Sequence, residues 1–358
     1  MGGLARAADD RAVAARARAV ADDKAMLRAA ADLTRDLNTP DSRIYWADLI
    51  GSAVLGYLAL ALAMLSSTAG VAVVGGMIAV LALYRAGSFI HEITHIKHSQ
   101  LPGFRRAWNL LIGVPLLVPS FLYEGVHNLH HAKTRYGTAE DPEYLPLASM
   151  KPWTLPLFLV TSALAPLALL IRFAVLAPLS MLSTGLRQVV VSRFSGLQIN
   201  PHFRRRPAEG ELKRRWAWQE AACSVWAMTL VGLVATGTLP LRDFGIFLVV
   251  VAAVMFLNQV RTLVAHLWEN EGEQMSVTAQ YLDSVNVPPP ATLPVLWAPV
   301  GLRYHALHHL LPGVPYHNLG EAHRRISAAL GSGSAFHETN HRALLPLVGR
   351  LASSTLRR

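Results

Sequence analysis

The chain has 358 residues, of which 52% are hydrophobic and 16% are charged, and its formal net charge is +10 at pH 7. This composition is typical of a protein whose core faces lipid and disfavours an ordinary soluble enzyme. The basic residues lie beside long apolar runs, as expected near anionic headgroups, and no basic surface with interleaved aromatic residues is present. We therefore predict membrane lipids as partners and no nucleic acid.

The chain begins with a polar segment, rich in Ala, Arg and Asp, that contains no apolar run. It does not resemble a cleaved signal peptide. We predict three parts: a cytoplasmic helical segment at 1–43, a membrane domain at 44–319, and a cytoplasmic C-terminal segment at 320–358.

Two apolar hairpins follow in chain order. The first runs over 46–65 and 71–90 with a turn at 66–70, and the second runs over 218–239 and 244–265 with a turn at 240–243. Each arm has roughly 20 residues, which is enough to cross a hydrocarbon core of about 30 Å as a helix. The turns carry almost no positive charge, whereas the opposite ends are rich in arginine. The positive-inside rule therefore places both hairpin ends in the cytoplasm.

Two further apolar stretches, at 108–123 and 153–186, do not fit complete crossings. The first is short, and the second is interrupted by Pro156, Pro166, Arg172 and Pro178. A single crossing there would contradict the charge pattern. We expect both stretches to form helices that lie in the cytoplasmic interface or dip into it. The predicted fold is thus an all-α integral membrane protein with four transmembrane helices in two hairpins, interfacial helices and a cytoplasmic cap.

Fifteen histidines are present, and most of them cluster in short motifs on the predicted cytoplasmic side. HEITH ends the second helix, HNLHH follows the first short apolar stretch, His266 follows the fourth helix, and HALHH lies beyond it. A single histidine near a helix end is usually structural. Such a set on one membrane face instead indicates a metal site. The candidate ligands are His91, His95, His127, His130, His131, His266, His305, His308 and His309.

The number of candidate ligands favours two metal ions in the cap. A tetrahedral zinc ion takes four ligands, whereas two octahedral ions with positions left for oxygen take about nine. Imidazole suits iron, zinc, copper and nickel, so the type of ligand alone does not select the metal.

The three motifs, in this order and separated by two apolar hairpins, resemble the membrane fatty-acid desaturase and hydroxylase superfamily. The resemblance extends from about His91 to Leu319. It implies two iron ions (for which zinc can substitute in a purified sample), O2 as co-substrate and His266 as the ninth ligand. It also implies an acyl-lipid, acyl-CoA or acyl-carrier-protein substrate and an external electron donor such as ferredoxin or a cytochrome. Some members have an asparagine four residues before the ninth ligand, where this chain has Thr262, with Asn258 one turn earlier.

Carboxylates near the motifs are candidates to orient the imidazoles through their second ring nitrogen. Those closest in sequence are Glu92, Glu124, Asp141, Glu143 and Glu269.

Several alternatives remain open at this stage. HEITH also matches the HExxH motif of zinc proteases, although no apolar helix supplies a later aspartate ligand and both HxxHH motifs would be unused. A metal transporter or membrane scaffold would instead have polar residues along a path across the bilayer. Within the oxidase class we favour a fatty-acyl desaturase over a lipid or carotenoid hydroxylase or ketolase. We expect a bacterial inner membrane, with the active site on its cytoplasmic side.

Overall fold

The computed structural model describes residues 20–356, and this part of the chain is helical, with no β-strand. Residues 1–19 of the predicted N-terminal segment lie outside the described residues. The helices are α1 (Lys24–Leu33), α2 (Ser42–Leu65), α3 (Ala69–His95), α4 (Phe104–Trp108), α5 (His127–His130), α6 (Thr154–Ile171), α7 (Ala177–Ser180), α8 (Thr184–Phe194), α9 (Gly210–Ala235), α10 (Leu241–Leu263), α11 (Val277–Asp283), α12 (Pro294–Trp297), α13 (His305–Leu310), α14 (Leu319–Ala329) and α15 (Leu344–Leu356).

Helices of membrane-spanning character dominate the fold. Within residues 20–356, four helical segments are long and apolar enough to cross a membrane: Ser42–Leu65, Ala69–His95, Thr154–Ser180 and Leu241–Leu263. Large side chains such as Leu58 (67% exposed) and Val73 (61% exposed) point outward from them. Exposed apolar surface of this extent belongs in lipid. The chain is therefore an integral membrane protein, as predicted.

One of these four membrane-spanning segments differs from the four that were predicted. The predicted third crossing, 218–239, lies mostly in α9, but α9 is not in the set; the first half of α9 carries Glu211, Lys213, Arg214, Arg215 and Glu220. The stretch 153–186, predicted to be interfacial, instead supplies the helical segment Thr154–Ser180.

Prolines do not break this segment: Pro166 lies inside α6, and the other two occupy first turns. Pro156 lies in the first turn of α6, where no helical N–H donor is needed, and Pro178 lies in the first turn of α7. A π-helical turn at Arg172–Leu176 joins the two helices. Such turns absorb local irregularity within a continuous helix.

The first hairpin packs closely through small residues. A Cβ added at Gly75 would lie 3.0 Å from the carbonyl oxygen of Ala59 and 3.2 Å from the backbone nitrogen of Ala63. A Cβ at Gly56 would lie 2.7 Å from the Leu83 side chain. Small residues allow α2 and α3 to approach, as is common between membrane helices. The Asp41 side chain caps α2 by accepting hydrogen bonds from the backbone N–H groups of Arg43 and Ile44.

Both long hairpin turns lie at the same end of the molecule. Arg242, at the start of α10, donates hydrogen bonds to the carbonyl oxygens of Met64 (2.6 Å), at the end of α2, and Ser66 (2.7 Å), in the first turn. The histidine motifs lie at the opposite ends of α3 and α10. This arrangement agrees with two hairpins whose turns share one side.

A small helical cap covers the histidine end. The α1 residues Met26 and Ala30 pack against Leu319, Ala322 and Ile326 of α14. The same core includes Ala306 and Leu307 of α13 and Tyr281 of α11. The described part of the N-terminal segment and the beginning of the C-terminal segment thus join the element that carries the HALHH motif.

Candidate metal centre

The histidine motifs reach one place from four separate parts of the chain. His91 and His95 occupy one face of the last turn of α3. The short helix α5 and the residue after it carry the second motif, and α13 carries the third. His266 follows the C-terminus of α10 by three residues. Each motif is therefore supplied by a helix end that the packed hairpins hold in place.

The nine candidate ligands assemble into two adjoining groups. Within each group, one ligand atom from every member lies within 4.8 Å of the others. The described residues form one group of His91, His95, His127, His131 and His308, and a second of His130, His266, His305 and His309. All nine predicted residues are thus brought together.

The ring nitrogens converge at the spacing that a shared metal ion requires. The Nε2 atoms of His127 and His131 are 3.0 Å apart, and those of His308 and His95 are 3.1 Å apart. In the second group the Nε2 atom of His305 lies 3.0 Å from that of His266. Two nitrogens at about 2.1 Å from one metal are about 3.0 Å apart at a right angle and about 3.4 Å apart at a tetrahedral angle. The Nε2–Nε2 distances of 3.0 and 3.1 Å fit ligands at right angles, as around an ion with more than four ligands.

Buried polar atoms without partners support the same interpretation. Both ring nitrogens of His91 and the Nδ1 atoms of His305 and His308 are buried and have no hydrogen-bond partner within residues 20–356. Buried polar atoms are nearly always satisfied, so the free Nε2 atom of His91 needs an additional partner, which a metal ion would provide. The Nδ1 atoms of His305 and His308 lie on the outer side of rings whose Nε2 atoms face other histidines of the groups.

Two of the carboxylates expected from the sequence orient ligand imidazoles. The Asp141 carboxylate oxygens lie 3.0 and 2.9 Å from Nδ1 of His130. Glu143 Oε2 lies 2.5 Å from Nδ1 of His127, and the Tyr123 hydroxyl lies 2.8 Å from the same nitrogen. A proton held on Nδ1 leaves the Nε2 lone pair free to face the metal.

A third orienting group was missed by the sequence analysis. The Tyr136 hydroxyl lies 2.8 Å from Nδ1 of His266 and donates to Asp283 Oδ2 at 2.8 Å. Ser284 Oγ lies 3.2 Å from the same ring nitrogen. Tyr136 and Asp283 belong to no motif, and 147 residues separate them. No sequence pattern connects them.

The other candidate carboxylates have different partners. Glu124 forms ion pairs with Arg105 (3.6 Å) and Arg215 (3.3 Å), and Glu269 pairs with Arg350 (2.9 Å). Neither is hydrogen bonded to a ligand histidine.

Glu92, within HEITH, also has partners other than a ligand histidine. Its Oε2 accepts hydrogen bonds from the Tyr45 hydroxyl and from the backbone N–H of Tyr316, at 3.1 Å for the latter. Its other oxygen lies 3.9 Å from Nδ1 of His91. The zinc-protease alternative does not fit, because Glu92 is held by these groups and the HxxHH motifs share the site with HEITH.

Burial controls protonation around the centre. Burial, together with neighbouring imidazoles, holds the pKa of His131, His308 and His309 well below the ordinary histidine value. Neutral imidazoles are the form that binds metals. Burial also lowers the pKa of His130, but the Asp141 carboxylate more than offsets this and the net pKa is raised. Burial raises the pKa of Glu143 to about 7.

A cavity of about 370 Å³ opens beside the two groups. Its polar wall includes His91, His127, His266 and His305, and its other walls are mostly apolar, with residues such as Trp108 and Val251. This volume lies in the range of small-molecule sites. Asn258 and Thr262 also line it, and the Thr262 hydroxyl donates to the backbone carbonyl of Asn258 at 2.9 Å.

The sequence matches the model of the fatty acid desaturase family over residues 66–340. The chain therefore belongs to this family, as its histidine motifs predicted. It is also similar to the ceramide hydroxylase of Caulobacter vibrioides (strain NA1000 / CB15N), with 47% identity over 331 residues. That alignment covers 92% of this chain and 94% of the relative. No solved structure matches the chain.

Proposed function

We propose that this protein is an oxygen-dependent hydroxylase of the fatty acid desaturase family and that its substrate is a ceramide. The observation that carries the proposal is the 47% identity with a ceramide hydroxylase over nearly the full length of both proteins. The sequence motifs favoured desaturation, with hydroxylation as the alternative, and the identity with a ceramide hydroxylase supports the alternative. Both reactions begin by removing hydrogen from a C–H bond, so one set of histidines suits either.

The nine histidines would hold two iron ions, five ligands in one group and four in the other. The converging Nε2 atoms and the neutral imidazoles support metal binding. Iron rather than zinc rests on the family, because imidazole binds both, and zinc can substitute in a purified sample. Bound iron would supply the oxidising power that amino-acid side chains lack.

Hydroxylation inserts one atom of O2 into a C–H bond of the substrate and releases the other atom as water. This balance consumes two electrons and two protons. The electrons must come from a separate donor, such as a reduced ferredoxin or cytochrome, because the single cysteine of this chain cannot bind an iron–sulfur cluster.

The protein contributes orientation and exclusion of water. Asp141, Glu143 and Tyr136 fix the imidazole rings through their outward nitrogens. The apolar walls of the cavity would hold a hydrocarbon chain beside the centre, where a defined distance between the reacting atoms determines the rate and the product.

We further propose that the histidine end faces the cytoplasm of a bacterial inner membrane. The arginine-rich segment between α8 and α9 supports this orientation through the positive-inside rule. Residues 44–319 would then form the membrane domain, and 1–43 and 320–358 would contribute to the cytoplasmic cap.

The test is expression in a bacterial host that makes no hydroxylated ceramide, with ceramide supplied, followed by mass spectrometry of the lipids and metal analysis of the purified protein. A ceramide that gains one oxygen, together with about two irons per chain, supports the proposal. Loss of two hydrogens would restore desaturation, and an unchanged ceramide pool would reject the substrate.

Two histidine variants make this test specific. His308→Ala removes a member of the five-histidine group and is expected to abolish product formation and lower bound metal. His98→Ala removes an exposed histidine outside both groups and is expected to retain activity.

A further inference from the structure

Arg261 is a buried guanidinium without a carboxylate partner. It lies in the last turn of α10 and is 8% exposed, yet it forms no ion pair within residues 20–356. Its Nη2 donates a long hydrogen bond to Asn258 Oδ1 (3.3 Å), the Tyr84 hydroxyl also interacts with its side chain, and its Nε has no acceptor. By contrast, the buried Arg172 lies 2.5 Å from Glu220. A buried charge without a carboxylate in direct contact is costly, and within a membrane protein it indicates function.

The Arg261 side chain lines the same cavity as the histidines. His266 follows it by five residues, and His91, His130 and His305 share the cavity wall with it. Asn258, one turn before Arg261, adds an amide group to this wall. The unused hydrogen-bond donors of Arg261 therefore belong to the substrate cavity rather than to the protein interior.

We infer that Arg261 donates hydrogen bonds to the amide carbonyl oxygen of the bound lipid, an inference that rests on the proposed ceramide substrate. A guanidinium offers five N–H donors and no acceptor, so it requires an oxygen-rich partner. A ceramide is uncharged and carries one amide carbonyl between its two hydrocarbon chains. A free carboxylate is the less favourable partner, because the cavity wall already carries the Glu143 carboxyl, which interacts with the Arg261 charge.

This contact determines which carbon the enzyme oxidises. The donor and the histidines share one wall, so the carbon beside the centre lies close to the amide. The two hydrocarbon chains extend along the apolar walls formed by residues such as Ile112, Leu116, Val254 and Met255. The structure thus favours hydroxylation near the polar group over hydroxylation at a remote methylene.

The test is a double-mutant cycle that combines a substitution of Arg261 with replacement of one ligand atom, the amide oxygen. Binding of a short-chain ceramide and of its thioamide analogue, in which sulfur replaces the amide oxygen, is measured with the metal-loaded protein without an electron donor, so that no turnover occurs. Wild-type protein is expected to bind the thioamide several-fold more weakly. Arg261→Gln is expected to bind ceramide about tenfold or more weakly and to lose the preference for oxygen. Arg261→Lys should lie between the two.

A thermal unfolding measurement separates this role from a structural one. Arg261→Gln removes an unpaired buried charge, so its Tm should be equal to or higher than that of the wild type. The matched control Arg172→Gln removes a buried arginine that has a carboxylate partner; its Tm should fall while the oxygen preference remains. The hydroxyl position in the product, read by fragmentation mass spectrometry, should be within a few carbons of the amide.

An unchanged oxygen preference in Arg261→Gln, or a product hydroxylated far from the amide, would overturn the inference while the ceramide hydroxylase proposal stands. Failure of the wild-type protein to bind ceramide would overturn both. Tighter binding of a free fatty acid than of ceramide would assign the arginine to a carboxylate and reject the ceramide.

Discussion

At the scale of single residues, the orienting groups differ in how firmly they hold their histidine. Asp141 contacts Nδ1 of His130 and also accepts hydrogen bonds from the backbone N–H groups of Gly137 (2.8 Å) and Glu143 (2.8 Å). The carboxylate is therefore fixed before any metal binds. Such fixed carboxylates raise the basicity of the ligand imidazole and maintain its orientation.

Asp141→Asn should therefore weaken metal binding at the four-histidine group about 10- to 100-fold. The amide lacks the negative charge that favours a proton on Nδ1 of His130. Metal content after dialysis against a graded series of chelator concentrations measures the effect. Glu140→Gln, which alters the exposed neighbouring carboxylate, is the matched control and should retain metal like the wild type. Equal retention by both variants would refute the role of Asp141.

Tyr136→Phe should also lower metal retention, with a larger effect at the four-histidine group, which contains His266. The hydroxyl is the link between Nδ1 of His266 and Asp283, and Phe leaves both without it. Tyr281→Phe is the control, because that buried hydroxyl donates to the carbonyl oxygen of Phe336 and contacts no histidine. Both variants should lose about 1 kcal/mol of stability. If metal content falls equally in both, the loss comes from destabilisation rather than from His266.

The histidines could be predicted from the sequence because each motif brings its members together by local geometry. Asp141 and Glu143 were also predictable, since a short loop joins them to the HNLHH motif. Tyr136 and Asp283 were not, because their contact depends on how α11 packs across the centre. The sequence places Arg261 near a helix end, but its lack of an ion-pair partner emerges from the packing alone.

At the scale of helices, the close packing of α2 against α3 depends on Gly75 and not on the adjacent Gly76. Gly75 faces backbone atoms of α2, whereas a Cβ at Gly76 would meet nothing within 4 Å. Gly75→Ala should therefore force the helices apart and cost about 1–3 kcal/mol. Gly76→Ala should leave stability unchanged or raise it slightly through better helix propensity.

Thermal unfolding of the two alanine variants in one detergent tests this packing argument. The Tm of Gly75→Ala should fall clearly below that of Gly76→Ala. Because α3 ends in HEITH, metal content should fall with stability in the first variant. Identical Tm values would contradict the close contact between the two helices.

The helical segment 154–180 illustrates why sequence patterns locate helices better than they locate membrane crossings. Its prolines and Arg172 suggested interruption, but Pro156 and Pro178 occupy first turns, Pro166 is accommodated inside the helix, and Arg172 pairs with Glu220. In α9, charged residues occupy the first half, so composition alone does not select it as a crossing. In both cases the partners that neutralise a charge come from distant parts of the chain.

At the scale of the whole molecule, the path of the chain favours the two-hairpin topology. After α8, the backbone N–H of Leu197 donates to the carbonyl oxygen of Leu122 (2.8 Å), and that of Ile199 donates to Pro142 (2.8 Å). The chain is therefore back at the histidine end before α9 begins. A return by α8, which has 11 residues and a length of about 16 Å, is too short for a crossing of about 30 Å. We therefore predict that segment 154–194 enters and leaves from one side.

Labelling of introduced cysteines in intact cells tests this topology, and the buried Cys223 gives little background. Ser67→Cys and Thr238→Cys, in the two exposed hairpin turns, should react with a membrane-impermeant maleimide from outside. Arg206→Cys should react only after the cells are opened, because it lies at the histidine end. Ser183→Cys, between α7 and α8, is decisive: labelling from outside would make Thr154–Ser180 a complete crossing and place the histidines and the arginine-rich segment on opposite sides. The contacts of residues 195–205 predict that Ser183→Cys is protected until lysis, while Ser67→Cys and Thr238→Cys are labelled from outside.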